Sequence, residues 1–300
     1  MNSVISIVYG SAIETKISSK SQNMFDNHEW SKWTTEIRVN GPIKVDENIS
    51  FFSRKDIGYK EKLMSNIKIS NYQNGVKLGV DSFAHHLTFA KEAAYLFSGL
   101  ALDVLSLNLN LPLYVDLYEQ NNRVNYDNEG VKRIIYHSEW AHSFQESRLL
   151  KLTEPIFLRA IGWFRKGKLT QDPFDKFLAF WNAIEVVATA YHTKNEKAKK
   201  GTKNQINQCF RDLWGEPKDW KIIPGEDWID ENGEIRIDVA HGLLEINVRS
   251  LNRIRSKNYM IEELAYQFLN EWRRDKLEPE QNMSDVNRAK IYGENSIAIE

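Results

Sequence analysis

The sequence predicts an α+β chain in two parts: a mixed α+β domain over residues 1–145 and an all-helical bundle over 146–275, with a polar tail at 276–300. Three observations carry that prediction. Short runs rich in β-branched and aromatic residues crowd the first part, an Asn-Gly pair separates two of them, and a helix apolar on almost every side lies in the second part. At 42% hydrophobic and 27% charged, the composition is that of a globular chain. A net charge of −1 excludes a broad basic field, so any nucleic-acid contact has to be a local patch. The single cysteine, Cys209, excludes an internal disulfide and a multi-cysteine zinc site. It fits a reducing cytoplasm and reads as a small core residue on a helix. Residues 1–9 lack a basic leader, and the longest apolar run, Phe177 to Tyr191, is broken by Asn182 and Glu185. We therefore expect a cytoplasmic chain with no membrane partner.

In chain order, β-type runs occur at Ser3–Tyr9, Thr34–Val39, Ile67–Tyr72 and Val76–Val80. The last two flank Gln73-Asn74-Gly75, a hairpin signal. Asp81 or Ser82 is expected to cap a helix to about Leu107, whose Leu87, Ala90, Ala94, Phe97, Ala101, Val104 and Leu105 recur at helical spacing. After Pro112, the runs Leu113–Tyr118 and Val131–His137 read as a second hairpin. Leu149 to Phe164 reads as an amphipathic helix interrupted at Pro155. Asp172-Pro173 is a helix start, with the aspartate as N-cap and the proline in the first turn. The apolar helix Phe174–Tyr191 follows, then a lysine-rich loop and a helix over Asn204–Trp214. Gly215–Gly233 reads as an irregular insertion carrying Trp220 and Trp228. A helix is expected from near Glu234 to about Ile254, another over Tyr259–Arg273, and a short strand at Ala289–Tyr292.

The chemistry concentrates in Arg236-Ile-Asp-Val-Ala-His241-Gly242. A guanidinium is a permanent, planar phosphate clamp, and imidazole as a class titrates near neutrality and moves protons. The pairing suits RNA cleavage without a metal or any other cofactor. On the expected helix, His241, Glu245, Arg249 and Arg253 recur at four-residue steps and would share one polar ridge. The apolar helix carries a polar seam of Asp175, Asn182, Glu185 and Thr189. A carboxylate on such a helix is costly without a cation or donor, and Arg236 and His241 are candidate partners for Glu185. Positions five apart lie about 140° round a straight helix and about 7.5 Å along it. Arg236 and His241 therefore point different ways unless the helix begins or bends between them. Asp238, expected in the first turn, reads equally as a capping acid. An ordinary ion-paired helix start is the plain alternative for Arg236 and His241, and a solvated loop for the lysines. The adjacent His85 and His86 diverge by about 100° and are poorly placed to chelate one ion.

These residues resemble the HEPN superfamily, and within it the ApeA-like and MauJ-like bacterial proteins. The resemblance rests on Arg236…His241-Gly242, matching an Arg-x(4–6)-His motif that opens a late helix. It also rests on Phe180-Trp181-Asn182-Ala183-Ile184-Glu185, matching an earlier aromatic-x-Ala-aliphatic-Glu helix, and it covers about Leu149 to Trp272. It implies a HEPN-like bundle that works as a homodimer and cuts single-stranded RNA or tRNA without metal, through the 2′-hydroxyl. It further implies a toxin or antiviral-defence setting, with an antitoxin or defence-system partner. His241 would then act as general base or acid and Arg236 would bind the scissile phosphate. Glu185, Asp238 and Asn182 would support the pair, and Lys199, Lys200, Arg249 and Arg253 would hold flanking phosphates. Two other functions are carried forward. One is a non-catalytic module binding nucleotide, nucleic acid or a protein; the other is a scaffold using Gly215–Gly233 as its contact surface.

Overall fold

The computed structural model describes residues 12–16, 31–55, 63–84, 86–116, 132–245 and 247–277. The expected strands at Ser3–Tyr9 and Ala289–Tyr292, and His85, lie outside these residues. The chain forms two compact units, residues 1–151 and 152–300, and its class is α+β, a sheet first and helices after.

The first unit is built on a six-stranded sheet. Its strands are β1 (Ala12–Lys16), β2 (Ser31–Asn40), β4 (Ile49–Lys55), β5 (Leu63–Tyr72) and β6 (Gly75–Ala84), in the order β1-β2-β6-β5-β4, with β7 (Tyr114–Asp116) beside β2. All of these pairings are antiparallel. Alternate residues Ile37 and Val39, Ile67 and Ile69, and Val76, Leu78 and Val80 are fully buried, the period-2 pattern of a half-buried sheet. Against them lie Ala94, Phe97, Ala101, Leu102 and Leu105 of α1 (Leu87–Leu109) and Trp140 and Phe144 of α2 (His137–Thr153).

The Asn-Gly hairpin forms, one residue out of the expected register. Gln73 and Asn74 make the turn, while Gly75 pairs with Tyr72 as the first residue of β6. Gly75 has φ +155°, and a Cβ there would collide with the Val39 carbonyl oxygen, so no side chain fits. Asp81 and Ser82 cap nothing. They lie in β6, where the Asp81 carboxylate accepts from Thr34 at 2.7 Å and pairs with Lys32 at 2.7 Å, and α1 begins after His86 instead. The second expected hairpin is also replaced. Residues 114–116 join β2, whereas β8 (Arg133–Ile134) runs parallel to β3 (Ile43–Lys44). Both segments satisfy their backbone on strands far away in sequence, which local patterning does not specify.

The second unit is helical: α3 (Pro155–Leu169), α4 (Pro173–Tyr191), α5 (Thr202–Trp214), α6 (Glu226–Ala240) and α7 (Val248–Trp272). Asp172 caps α4 as expected, accepting from the N–H groups of Phe174 and Asp175 at 2.9 and 3.0 Å. Phe177, Phe180, Trp181, Ala183, Ile184, Val187 and Ala188 are all buried, because α4 is touched by α3, α5, α6 and α7. Gly167 of α3 lies flat on the Phe180 ring, where a Cβ would approach to 2.7 Å. Glu262 of α7 ties α3 and α4 together through Lys168 at 2.6 Å and Lys176 at 3.3 Å. Cys209 is buried, and burial first of all pushes its thiol well above the ordinary cysteine range.

The largest departure from the sequence reading is at the third quarter. The expected helix from Glu234 to Ile254 does not exist. Instead α6 begins at Glu226 and stops at His241, and α7 runs unbroken from Val248 to Trp272. Gly242, at φ +65°, receives the chain in a left-handed turn. Its N–H donates to Val239 O at 3.2 Å and that of Leu243 to Asp238 O at 2.8 Å, the double closure of a Schellman end. Asn247 and Ser250 then form a reciprocal capping box at the start of α7. The irregular stretch accordingly ends at Gly225. Trp228 lies buried on α6 and Trp220 is buried against Phe210, so neither tryptophan offers the contact surface that the scaffold reading requires. Among the described residues, no helix is long and apolar enough to cross a membrane.

Candidate functional site

Glu185 has the partner that its position on α4 demands. Its Oε1 accepts from Arg236 Nη2 on α6 at 3.2 Å, and its Oε2 accepts from Trp181 Nε1, one turn earlier, at 2.9 Å. The side chains are 21% exposed for Glu185 and 30% for Arg236, so the pair is neither stripped of water nor freely solvated. Arg236 Nε is sealed and has no hydrogen-bond partner among the described residues. Part of the guanidinium's five-donor fork is therefore uncommitted.

That pair borders an open cavity of about 260 Å³, walled by α4, α6 and the turn into α5. Lys200 ends a short 3-10 turn, Gly201 redirects the chain at φ +133°, and Thr202, Lys203 and Asn204 form the first turn of α5 along the cavity wall. Glycine brings no capping side chain, so the first N–H groups of the helix lack an internal partner and the positive end of its dipole borders the cavity. Gly233 permits this close approach of α5 to α6, since a Cβ there would lie 2.5 Å from Lys203 Cδ. The Lys203 ammonium continues to Glu234 at 2.9 Å and Asp230 at 3.2 Å, whose hydrogen bonds raise its pKa. Lys200 has no such carboxylate among the described residues.

Of the residues singled out by sequence, the structure gathers Arg236, Glu185 and Lys200 at this cavity and disperses the others. His241 is exposed at the C-terminal end of α6 and is not part of the cavity wall. Asp238 stands in the last turn of α6, not the first, where its carboxylate meets the negative end of the helix dipole. What it contributes there is a carbonyl that closes the turn. Asn182 is half-buried on α4 outside the cavity wall. Lys199 is exposed and pairs with Glu196 at 2.5 Å. Arg249 and Arg253 belong to α7, so the ridge expected to start at His241 is absent; Arg253 pairs with Glu231 at 3.7 Å.

Sequence reasoning does not find Trp181, Gly201, Thr202, Lys203, Asn204 and Gly233 as site residues. The available signal is Lys200-Gly201-Thr202, a cation and a glycine directly before a helix start. Starting α5 at Asn204 hides it. No group of three or more His, Cys, Asp or Glu side chains among the described residues is placed to hold a metal ion. The arrangement is suited to holding an oxyanion: a planar cation pinned by a carboxylate, a free ammonium, and unpaired helix N–H groups around one concavity. Comparisons with protein-family models, curated proteins and solved structures gave no match to this chain.

Proposed function

We propose that the helical unit is an RNA-handling module of HEPN type that binds a backbone phosphate on Arg236 and cleaves RNA without a metal through His241. The observation that carries this reading is the Arg236 guanidinium, fixed by Glu185 yet with donor capacity left over beside an open, cation-lined cavity. The exposure of His241 at the end of the same helix supports its role in proton transfer. As the 2′-oxygen attacks phosphorus, His241 takes its proton and Arg236 offsets the charge gathering on the phosphoryl oxygens. The 5′-oxygen leaves with a proton from solvent, yielding a 2′,3′-cyclic phosphate and a 5′-hydroxyl end. The working form is a homodimer, in a toxin or defence setting with a neutralising partner.

A second reading is favoured by a specific observation: Arg236 borders the cavity and His241 does not. On that reading the unit binds RNA or nucleotide phosphate and cuts nothing. The deciding experiment incubates the purified chain with end-labelled tRNA and with an unstructured RNA in EDTA, beside the His241→Ala variant. Discrete cuts by the wild type alone, ending in cyclic phosphate, support cleavage. RNA binding without cuts at any protein concentration leaves the binding module. Neither binding nor cutting overturns both.

A further inference from the structure

We propose that the cavity between α4, α5 and α6 seats a terminal phosphate, a phosphomonoester on the end of a nucleotide chain, rather than a phosphate within a running strand. The proposal rests on the RNA reading above and goes beyond it by naming which phosphate the site prefers.

The argument is one of donors and shape. Donors converge from two elements that are distant in sequence. Arg236 supplies a sealed Nε with no protein partner among the described residues. Lys200 supplies an ammonium with no carboxylate to hold it among those residues, and the chain from Gly201 to Asn204 supplies the uncapped N–H groups that open α5. A phosphodiester has two non-bridging oxygens to offer such a set, whereas a phosphomonoester has three and carries more negative charge. The α5 dipole adds positive potential at the same point, and the helix is thirteen residues long. The concavity is walled by three elements and measures about 260 Å³, room for a chain end but not for a strand passing through. Ile237, 41% exposed, lines the wall beside Arg236 and gives a sugar an apolar surface. Glu185 pairs with the guanidinium and acts as a positioning residue, holding the fork in place.

The test measures affinity of the full chain for one single-stranded 2′-O-methyl oligoribonucleotide, which it cannot cut through the 2′-oxygen, bearing either a 5′-phosphate or a 5′-hydroxyl. We expect the phosphorylated oligomer to bind about tenfold tighter, the size of one good charge-assisted contact set. Lys200→Ala should remove that preference, and Lys199→Ala, whose lysine already pairs with Glu196, should keep it. Lys200 is exposed, so an unchanged melting temperature for Lys200→Ala is expected and checked alongside. Adenosine monophosphate competing as well as the phosphorylated oligomer supports the phosphate site and extends it to free nucleotides. Equal affinity for both oligomers, or a preference that survives Lys200→Ala, overturns the proposal while the RNA reading stands. Failure to bind either oligomer removes both.

Discussion

At the scale of single residues, Glu185 carries the most consequence. A carboxylate among Phe177, Phe180, Trp181, Ile184 and Val187 has to be satisfied locally, which is why its pairing with Arg236 is legible in the sequence alone. Glu185→Ala strands a half-buried guanidinium and the Trp181 indole N–H. Because both partners keep some exposure, we expect a loss of about 1–3 kcal/mol rather than the larger penalty of a fully buried pair, read by urea denaturation. A loss under about 0.5 kcal/mol would show that water replaces the contact. His241 is the opposite case. It is exposed at a helix end, so His241→Ala should leave the melting temperature within about 1 °C while abolishing any metal-independent cleavage. Its placement is not legible, because the apolar pattern continues through Gly242 and assigns the histidine neighbours it does not have.

At the scale of elements, the helical half is readable wherever the cue is local. Pro155, Asp172-Pro173 and the apolar run of α4 each mark a real boundary or a real interior. The break between α6 and α7 escapes such a reading, although His241-Gly242 and Asn247 with Ser250 are ordinary end and start signals; the smoother apolar periodicity of Ala240, Leu244, Val248 and Leu251 overrides them. Strand partners in the first unit are beyond local reading, since β7 and β8 are fixed by strands some 75 to 90 residues earlier. The α3–α4 contact yields a sharp expectation. Gly167→Ala drives a methyl into the Phe180 ring and should cost about 1–3 kcal/mol, seen as an earlier urea midpoint at unchanged slope. An unchanged midpoint would mean that Phe180 can rotate away.

At the scale of the molecule, charge and pH act across elements. Glu226 at the head of α6 accepts first from Arg211 of α5, at 2.5 Å, and Arg211 also holds Glu216. The hydrogen bond from Arg211 is the main cause that lowers the Glu226 pKa to about 2. A depressed folded-state pKa means that this contribution is fully present above the ordinary carboxylate value near 4.5 and is lost as pH falls from there toward 2. Glu226→Gln should therefore lower stability at pH 6 and flatten the acid limb of the melting profile; an acid limb identical to that of the wild type would exclude this pair as its cause. With a net charge of −1, any RNA affinity has to come from a few local cations.

The sealed state of Cys209 turns the chain into its own reporter scaffold. The lone thiol is buried and its pKa is raised, so a maleimide dye should leave the native protein unlabelled and react only after denaturation. A second thiol introduced by Thr202→Cys, on the cavity wall, would then be the sole reactive position. A fluorophore attached there reads occupancy of the cavity directly, through quenching by Trp181 or its relief, with no need to strip the native cysteine first.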